Sequence, residues 1–160
     1  MGAPYGKICS KVEDAFEGVI TALVGLELSG VQILKGFQGT ATKTVPRIHI
    51  VASSATAEMF GDLFTGNWTV EVTVALISQY KDTTRSTREN MSSSLFDMLL
   101  RQDIEDLLNN RGGVQDFHAY GGAQGAGMGY APQQILREPL DHGFIETLTG
   151  TLYCRPSTGE

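Results

Sequence analysis

The sequence predicts an α+β fold, with a mainly antiparallel or mixed β-sheet and two to three helices packed on one face of it. Three observations support this prediction. An amphipathic helix pattern opens the chain, a segment at residues 67–77 alternates apolar and polar side chains, and another alternating segment at residues 144–154 follows a helical middle part. This succession of helices and strands favours a sheet that carries its helices on one face.

Length and composition fit one domain, residues 1–160. The 160 residues, 41% hydrophobic and 19% charged, are enough for one core, which we place between about residues 10 and 155. A formal net charge of -6 removes the general positive charge by which proteins bind nucleic acids or anionic membranes. No apolar run approaches the roughly 20 residues that span a bilayer, and the N-terminus lacks a secretory signal pattern. We therefore expect a protein that stays in the cytoplasm where it is made.

The first half of the chain predicts one helix and two strands. Ser10 and Glu13 have the spacing of a reciprocal capping box, which predicts that the helix starts at Ser10. Residues 31–34 and 47–52 are rich in β-branched side chains and predict strands, and the polar residues 38–44 between them predict a hairpin-like loop. The apolar stripe of the helix is Val12, Phe16, Val19, Ile20 and Leu23.

The second half predicts a long strand, two helices and two further strands. The strand at residues 67–77 places Trp68, Val70, Val72, Val74 and Leu76 on one face. A polar turn at residues 81–88 leads into a helix, and a short helix follows. The apolar positions of these helices are Met91, Leu95, Met98, Leu99, Ile104, Leu107 and Leu108. The last elements are a long Gly-rich loop at residues 120–132, a strand at 134–137, a turn at 139–143 and a strand at 144–154.

The residue types that hold metals or run reactions are scattered along the chain. Cys9 and Cys154 lack a CxxC partner, so we expect two reduced thiols, with a single bridge between the termini left open. His49, His118 and His142 have no second ligand at metal-binding spacing. No GxSxG elbow fixes a nucleophilic serine. We expect no catalytic residue, no metal and no cofactor, and therefore a protein that is not an enzyme.

The glycines at residues 121–129 resemble a phosphate-binding loop only in composition. A GK[ST] ending is missing, and Pro132 follows where a phosphate-binding helix would begin. A loop that is mobile or ordered by a partner protein is favoured, because Tyr120, Met128 and Tyr130 flank it with side chains suited to protein contacts.

Candidate contact residues lie in three segments. Residues 59–64 contain four large apolar side chains, for which a cap on one end of the core is favoured and an exposed interface patch is the alternative. Arg85 and Arg88 belong either to a solvated helix start or to an ion pair across a subunit boundary. The candidate subunit-interface residues are Phe60, Leu63, Phe64, Arg85, Arg88, Tyr120, Met128 and Tyr130.

Five segments carry a resemblance to a known family. They are the opening helix at residues 12–23, the strand at 45–50 (VPRIHI), the long strand at 66–74 (GNWTVEVTV), the turn at 80–85 (YKDTTR) before a helix, and the late strand at 143–152 (GFIETLTGTL). In this order the chain, from about residue 10 to 155, resembles the tail terminator, or tail-completion, proteins of long-tailed bacteriophages. The Gly-rich loop at 120–132 has no counterpart in this resemblance.

The resemblance implies a structural protein of the virion tail. It implies a homohexameric ring that caps the head-proximal end of the tail tube, stops its polymerisation and joins it to a neck or head-completion protein. DNA would pass through the lumen without specific binding, and no membrane is involved. A closed ring requires two different complementary patches on each subunit.

Other functions stay open from the sequence. The nearest alternatives are another head-tail connector, a neck subunit or a tail tube subunit, all of which assemble as rings. A more distant one is a small cytosolic enzyme or ligand-binding domain that uses the Gly-rich loop, with a pocket near His118 and His142. A scaffold or adaptor domain outside a virus would bind a partner without forming a closed ring.

Overall fold

The computed structural model of the chain describes residues 8–24, 31–36, 47–79, 92–97, 99–100, 117–119, 130–140 and 143–156. These residues form a long helix, six strands and a helical segment at residues 92–97. The bounds in chain order are α1 Ile8–Val24, β1 Gln32–Lys35, β2 Arg47–Phe60, β3 Leu63–Gln79, β4 Phe117–Ala119, β5 Tyr130–Leu140 and β6 Gly143–Pro156.

The six strands form one mixed sheet. Strand β1 pairs with β2 in parallel, whereas the other strand pairs are antiparallel. The order across the sheet is β1, β2, β3, β6, and both β4 and β5 pair with the outer side of β6. Together with the helices, this sheet confirms the α+β class that the sequence predicts.

The hydrophobic core lies on one face of this sheet. Along β3 the side chains alternate, so that Val70, Val72 and Val74 are fully buried while Thr69 and Glu71 are exposed. This pattern confirms the predicted strand and its apolar face. Each large side chain buried in this way contributes roughly 1.5–3 kcal/mol to folding. Other fully buried core residues are Val12, Phe16, Ile20, Ile48, Ile50, Leu95, Leu99 and Leu152.

Strand β5 begins with a tyrosine in the core. The Tyr130 ring is fully buried and meets Phe16 edge to face, with ring centroids 5.3 Å apart. Gly150 on β6 makes room for this ring, because a Cβ at that position would lie 2.8 Å from the Tyr130 hydroxyl oxygen. Burial raises the pKa of Tyr130, and its hydroxyl has no hydrogen-bond partner among the described residues. The expected extension of the Gly-rich loop to Pro132 is therefore wrong, since β5 already starts at Tyr130.

The start of α1 also differs from the prediction. The helix begins at Ile8, so Ser10 lies inside it and the predicted capping box does not form. Glu13 instead turns to the sheet, where its buried carboxylate accepts a hydrogen bond of 2.8 Å from the Ala52 backbone N–H. That N–H lies at a β-bulge, because the pairing of β2 with β3 shifts between Ala52 and Ser54. Glu13 therefore contacts a strand distant in sequence instead of forming the local cap that the sequence predicts.

Glu13 predicts a pH-dependent contribution to stability. Burial is the main cause that raises the pKa of this carboxyl, and the hydrogen bond from Ala52 opposes it. A carboxyl with a raised folded-state pKa stabilises the fold fully below its unfolded pKa of about 4.3, and this stabilisation is lost as the pH rises through the folded-state value. Glu13→Gln keeps an acceptor without the charge, so we expect it to gain stability relative to the parent protein as the pH rises from 4 to 7. Urea unfolding at both pH values measures this.

A second variant at this position tests the hydrogen bond itself. Glu13→Ala leaves the buried Ala52 N–H without its acceptor, so we expect a loss of about 1–3 kcal/mol at both pH values. Equal stabilities of Glu13→Ala and Glu13→Gln at pH 7 would contradict the assigned role of the carboxylate.

The remaining elements agree with the sequence in part. The strands predicted at residues 31–34 and 144–154 are confirmed as β1 and β6, and the strand predicted at 47–52 is confirmed as the first half of a longer β2. The strand predicted at 134–137 is the middle of β5. The turn expected at 139–143 is wrong for Pro139, Leu140 and Gly143, which belong to β5 and β6. The second predicted helix is present at residues 92–97.

Several expectations concern residues outside the described part of the chain. They are the loop at 38–44, the turn at 81–88, Met91 and Met98 of the second helix, the short helix at 103–108 and the Gly-rich residues 120–129.

Candidate protein-binding surface

Among the described residues, the most exposed apolar side chains lie on a hairpin that extends beyond the body of the sheet. Ala57 of β2 pairs with Trp68 of β3, and Trp68 pairs with Cys154 near the end of β6. Beyond this row, residues 58–67 continue as two paired strands; we call them the arm. At about 3.3 Å per residue, the arm projects on the order of 12 Å past the last row shared with β6.

A two-residue turn closes the arm. Phe60 pairs with Leu63, so that Gly61 and Asp62 form the connection. Gly61 has a φ of 63°, and hairpin turns of types I′ and II′ both need a positive φ at this first central position. Glycine adopts that conformation without the strain that other side chains meet.

The arm tip, residues 59–64, exposes four large apolar side chains. Phe60 is 79% exposed and Leu63 is 71% exposed, while Met59 and Phe64 are 52% and 41% exposed. With side chains of ordinary size, the tip exposes on the order of 400 Å² of apolar surface, which is the range of patches that often have a function. The pairs Phe60 with Leu63 and Met59 with Phe64 occupy opposite faces, so both faces are apolar. The favoured expectation that this segment caps the core is wrong, and the exposed alternative is what the structure shows.

A set of polar side chains fixes the base of the arm. Glu58 accepts hydrogen bonds from Thr65 Oγ1 at 2.7 Å, from Asn67 Nδ2 at 3.1 Å and from the Tyr153 hydroxyl at 2.7 Å. Asn67 also donates to the Tyr153 hydroxyl at 3.0 Å. We call Glu58, Thr65, Asn67 and Tyr153 the Glu58 clamp. It ties both strands of the arm to β6.

The clamp forms at an irregularity in the strand pairing. Between the pairs Ala57 with Trp68 and Met59 with Phe64, Glu58 alone faces residues 65–67. Gly66 in this segment has a φ of 91°, a conformation that favours glycine. The extra residues bring Thr65 and Asn67 within reach of one carboxylate.

Electrostatics favour an intact clamp at neutral pH. Hydrogen bonds from Thr65, Tyr153 and Asn67, in this order of size, lower the pKa of the Glu58 carboxyl. A carboxyl with a lowered folded-state pKa stabilises the fold above its unfolded pKa, and the contribution is lost only as the pH falls through the folded-state value. An aromatic contact adds to the clamp, because Phe64 of the tip meets Trp68 edge to face with centroids 5.4 Å apart.

The clamp predicts that a single hydroxyl controls the mobility of the arm. Tyr153→Phe removes the donor to Glu58 and the acceptor for Asn67, so we expect faster amide exchange over residues 58–67 and a global stability loss of about 1 kcal/mol. Hydrogen–deuterium exchange measures the arm, and urea unfolding measures the stability.

The chain offers a matched control for this change. Tyr130→Phe also removes one phenolic hydroxyl, but that hydroxyl has no partner among the described residues. We expect neutral or slightly increased stability and no change in the arm. Unchanged exchange of the arm in Tyr153→Phe would show that the clamp does not hold it.

A second exposed surface runs along β5. Residues 131–139 are exposed on both faces of the strand, and Ile135 and Leu136 are 47% and 44% exposed. Arg137 follows them; its Nε lies 3.3 Å from Glu146 Oε2, and its side chain is 68% exposed. On the core side of β6, Glu146 also accepts a hydrogen bond from Ser92, which connects the helical segment at 92–97 to the sheet.

The structure brings together three of the eight residues that the sequence nominates as contact residues. Phe60, Leu63 and Phe64 lie together on the arm tip. Tyr130 differs from the expectation, because its side chain is part of the core instead of an exposed surface. Arg85, Arg88, Tyr120 and Met128 lie outside the described residues.

Sequence reasoning missed the Glu58 clamp and the exposed strand β5. For the clamp, a usable signal was the two-residue Gly61-Asp62 turn between apolar pairs, which indicates a hairpin and so places Glu58 opposite Thr65. The irregularity that brings Asn67 to Glu58 has no such signal. For β5 the sequence contains no comparable signal, because neighbouring exposed residues on both faces leave no alternation to detect.

Other chemistry would need metal-binding or reactive side chains among the described residues. Within them, three or more His, Cys, Asp or Glu side chains do not converge in a way that could hold a metal ion. His49 accepts a hydrogen bond of 2.9 Å from Arg47 Nε. Cys9 and Cys154 are free thiols, and burial raises the pKa of Cys154 to about 12. A helix with the length and apolar character to cross a membrane is not found in the described part of the chain.

The fold and the surface thus define an α+β protein with a mixed sheet and an arm whose tip is apolar and exposed. In comparisons with known proteins, no family model matches the chain, and no curated protein sequence matches it.

Proposed function

We propose that the protein is a structural subunit of a bacteriophage tail, a tail terminator that caps the head-proximal end of the tail tube as a ring and offers a surface to the neck or head. The observation that carries this proposal is the apolar arm tip. A surface of on the order of 400 Å², held out from the sheet, is typical of a site that binds protein. The sequence resemblance supplies the kind of assembly.

The arm supports an assembly role because its shape is set before a partner arrives. The Glu58 clamp fixes both strands at the base, so binding does not require the arm to be ordered first. A prearranged surface loses less conformational entropy on association than a flexible one, and more of the contact energy then appears as affinity.

Charge argues for a protein partner over an anionic membrane. Between Met59 and Val70 the only charged residue is Asp62, at the turn. Apolar segments that bind anionic membranes combine with nearby Lys or Arg, each of which adds about 1 kcal/mol of attraction. The arm has no such residue, and the chain carries a net charge of -6. An apolar tip with one acidic residue suits an apolar protein surface with a basic residue at its edge.

The test is the absolute mass of the purified protein by multi-angle light scattering, first over a concentration series and then with tail tube protein added. We expect a ring of six times the 17.3 kDa subunit mass, either in the free protein or on the tube end, and tubes of limited length. A stable monomer that ignores tube protein would overturn the proposal.

The same experiment separates the neighbouring functions. Growth of the protein alone into open-ended tubes would identify a tube subunit, because a terminator stops polymerisation. A ring that binds neck or head protein but leaves tube length unchanged would identify another head-tail connector. Neither outcome is compatible with the terminator function.

A further inference from the structure

We propose that the arm tip of one copy binds the outer edge of strand β5 of a neighbouring copy. This inference deepens the proposed function, since it rests on the assembly of copies into a ring. It names the two surfaces that meet: the tip at residues 59–64 and the β5 edge at residues 133–138.

The two surfaces cannot cover one another within a single chain. Ile135 pairs with Leu148, which pairs with Val74, whereas the tip is at Leu63 on the same strand β3. The row that contains Ile135 and Val74 and the arm tip at Leu63 are therefore separated by on the order of 35 Å along β3. Two apolar surfaces so far apart on one chain are the arrangement that a head-to-tail contact requires, because each subunit then contributes one surface to each neighbour.

The surfaces match in form. The arm tip is apolar on both faces, and the β5 edge also has one apolar side chain on each face, because Ile135 and Leu136 are adjacent in an extended strand. A hairpin laid beside this edge places its apolar side chains next to Ile135 on one face and next to Leu136 on the other. Such cross-strand neighbours each contribute about 0.2–1 kcal/mol.

Two prolines limit where a partner strand fits along β5. Pro132 lies opposite Gly150 and Pro139 lies opposite Phe144, one at each end of the exposed segment. Proline has no N–H to donate, so within sheets it is placed where the backbone nitrogen faces the open edge. Residues two apart in a strand direct their backbone nitrogens to the same side. Arg137 and Ile135, two and four positions before Pro139, therefore direct their N–H groups to that edge. Among the described residues no strand pairs with this edge, and the stretch between the two prolines is short, as is the arm tip.

Charge supports the same pairing. Asp62 is the charged residue of the tip, and Arg137 is the basic residue beside Ile135 and Leu136. The Arg137 side chain is 68% exposed although its Nε contacts Glu146. With Phe60 and Leu63 against the apolar pair on β5, the turn residue Asp62 comes near this guanidinium. Opposite charges at the rim of an apolar contact favour one orientation of the partners over others.

The size of the tip explains why a closed ring would be needed. A stable protein contact buries about 800 Å² on each partner, and the tip offers on the order of half of that. One contact between two copies is therefore weak, whereas in a closed ring each copy makes two contacts, and both must break before that copy can leave.

Photo-cross-linking tests the contact directly. A photoreactive amino acid at position 60 is introduced into the full chain, the protein is assembled with tube protein as above, and the linked peptides are identified by mass spectrometry. We expect links to residues 130–140 of another copy. Links mainly to tube protein or to another part of the chain overturn this inference while the proposed function stands. The absence of any ring overturns both.

A charge exchange gives a second test that does not depend on cross-linking. Asp62→Arg and Arg137→Glu should each weaken self-association about tenfold, and the double variant should recover most of the loss. Recovery in the double variant cannot arise from damage to the fold, because both changes are then present together. Asp97→Arg, the same change on the helical segment at 92–97, is the control and should leave association unchanged. Additive losses in the double variant overturn the pairing of Asp62 with Arg137.

Discussion

Replacing Phe60 and Leu63 together by alanine is expected to abolish ring assembly and leave the folded subunit intact. The two side chains are 79% and 71% exposed and provide most of the apolar surface of the arm tip. The few hot-spot side chains at the centre of an interface cost about 2 kcal/mol or more each on truncation, so the double variant should lose on the order of 1000-fold in association. Light scattering of the parent protein and the variant side by side, each with tube protein, measures the loss.

The stability of this double variant is the control for its effect on assembly. Exposed side chains contribute little to folding, so the free energy of unfolding in urea should stay within about 0.5 kcal/mol of the parent value. Rings that form as readily as those of the parent protein would contradict an interface at the tip. A large loss of stability would show instead that Phe60 and Leu63 are part of the core.

Phe16→Ala is expected to have the largest effect on stability. The Phe16 side chain is fully buried between α1 and the sheet and meets Tyr130 edge to face. Removing a buried phenylalanine side chain leaves a cavity and costs about 3–5 kcal/mol. Because a domain of this size is stable by only about 5–15 kcal/mol, the change removes a large fraction of the total. Urea unfolding followed by circular dichroism measures it.

The same substitution at the arm gives the matched comparison. Phe60→Ala removes the same atoms from an exposed position, so its effect on unfolding should be within about 0.5 kcal/mol of zero. Phe16→Ala should therefore act on stability and Phe60→Ala on assembly. If Phe16→Ala cost less than about 1 kcal/mol, the placement of α1 on the sheet would be wrong.

Local patterns in the sequence are sufficient to predict the strands that have one buried face. Along β3, apolar and polar side chains alternate from Trp68 to Val74, and burial follows that alternation. The strand β6 and the apolar stripe of α1 were found for the same reason. A buried face imposes a period on the sequence, and the period can be read without knowing what covers the face.

The second half of β2 could not be predicted in this way. Residues 53–57 are small or polar, and they form a strand mainly because they pair with β3; of these residues, Ala55 packs against the core. The partner of the Glu13 carboxylate could not be predicted for a related reason. Its position three residues after Ser10 indicates a cap, and only the bulge at Ala52, on a strand distant in sequence, shows what the carboxylate binds.

The sequence indicates which residues form the candidate site but not how they are arranged. The sequence draws attention to residues 59–64 because they are unusually apolar, yet the same composition suits a buried cap and an exposed tip. The choice between them depends on where the pairing of β3 with β6 ends, because among the described residues no third strand pairs with the hairpin beyond the row that Trp68 shares with Cys154. Tyr130 shows the opposite case, in which an aromatic residue beside a Gly-rich loop belongs to the core.

The Glu58 clamp has a mechanical consequence for any ring built with the arm. The arm acts as a lever: a tilt of about 10° at its base moves a tip on the order of 12 Å away by roughly 2 Å. In a closed ring the same angular error recurs at every subunit and accumulates around the circumference. A loose base would therefore tend to give a spiral that never meets its own start, whereas a fixed base sets the angle at which the last subunit reaches the first.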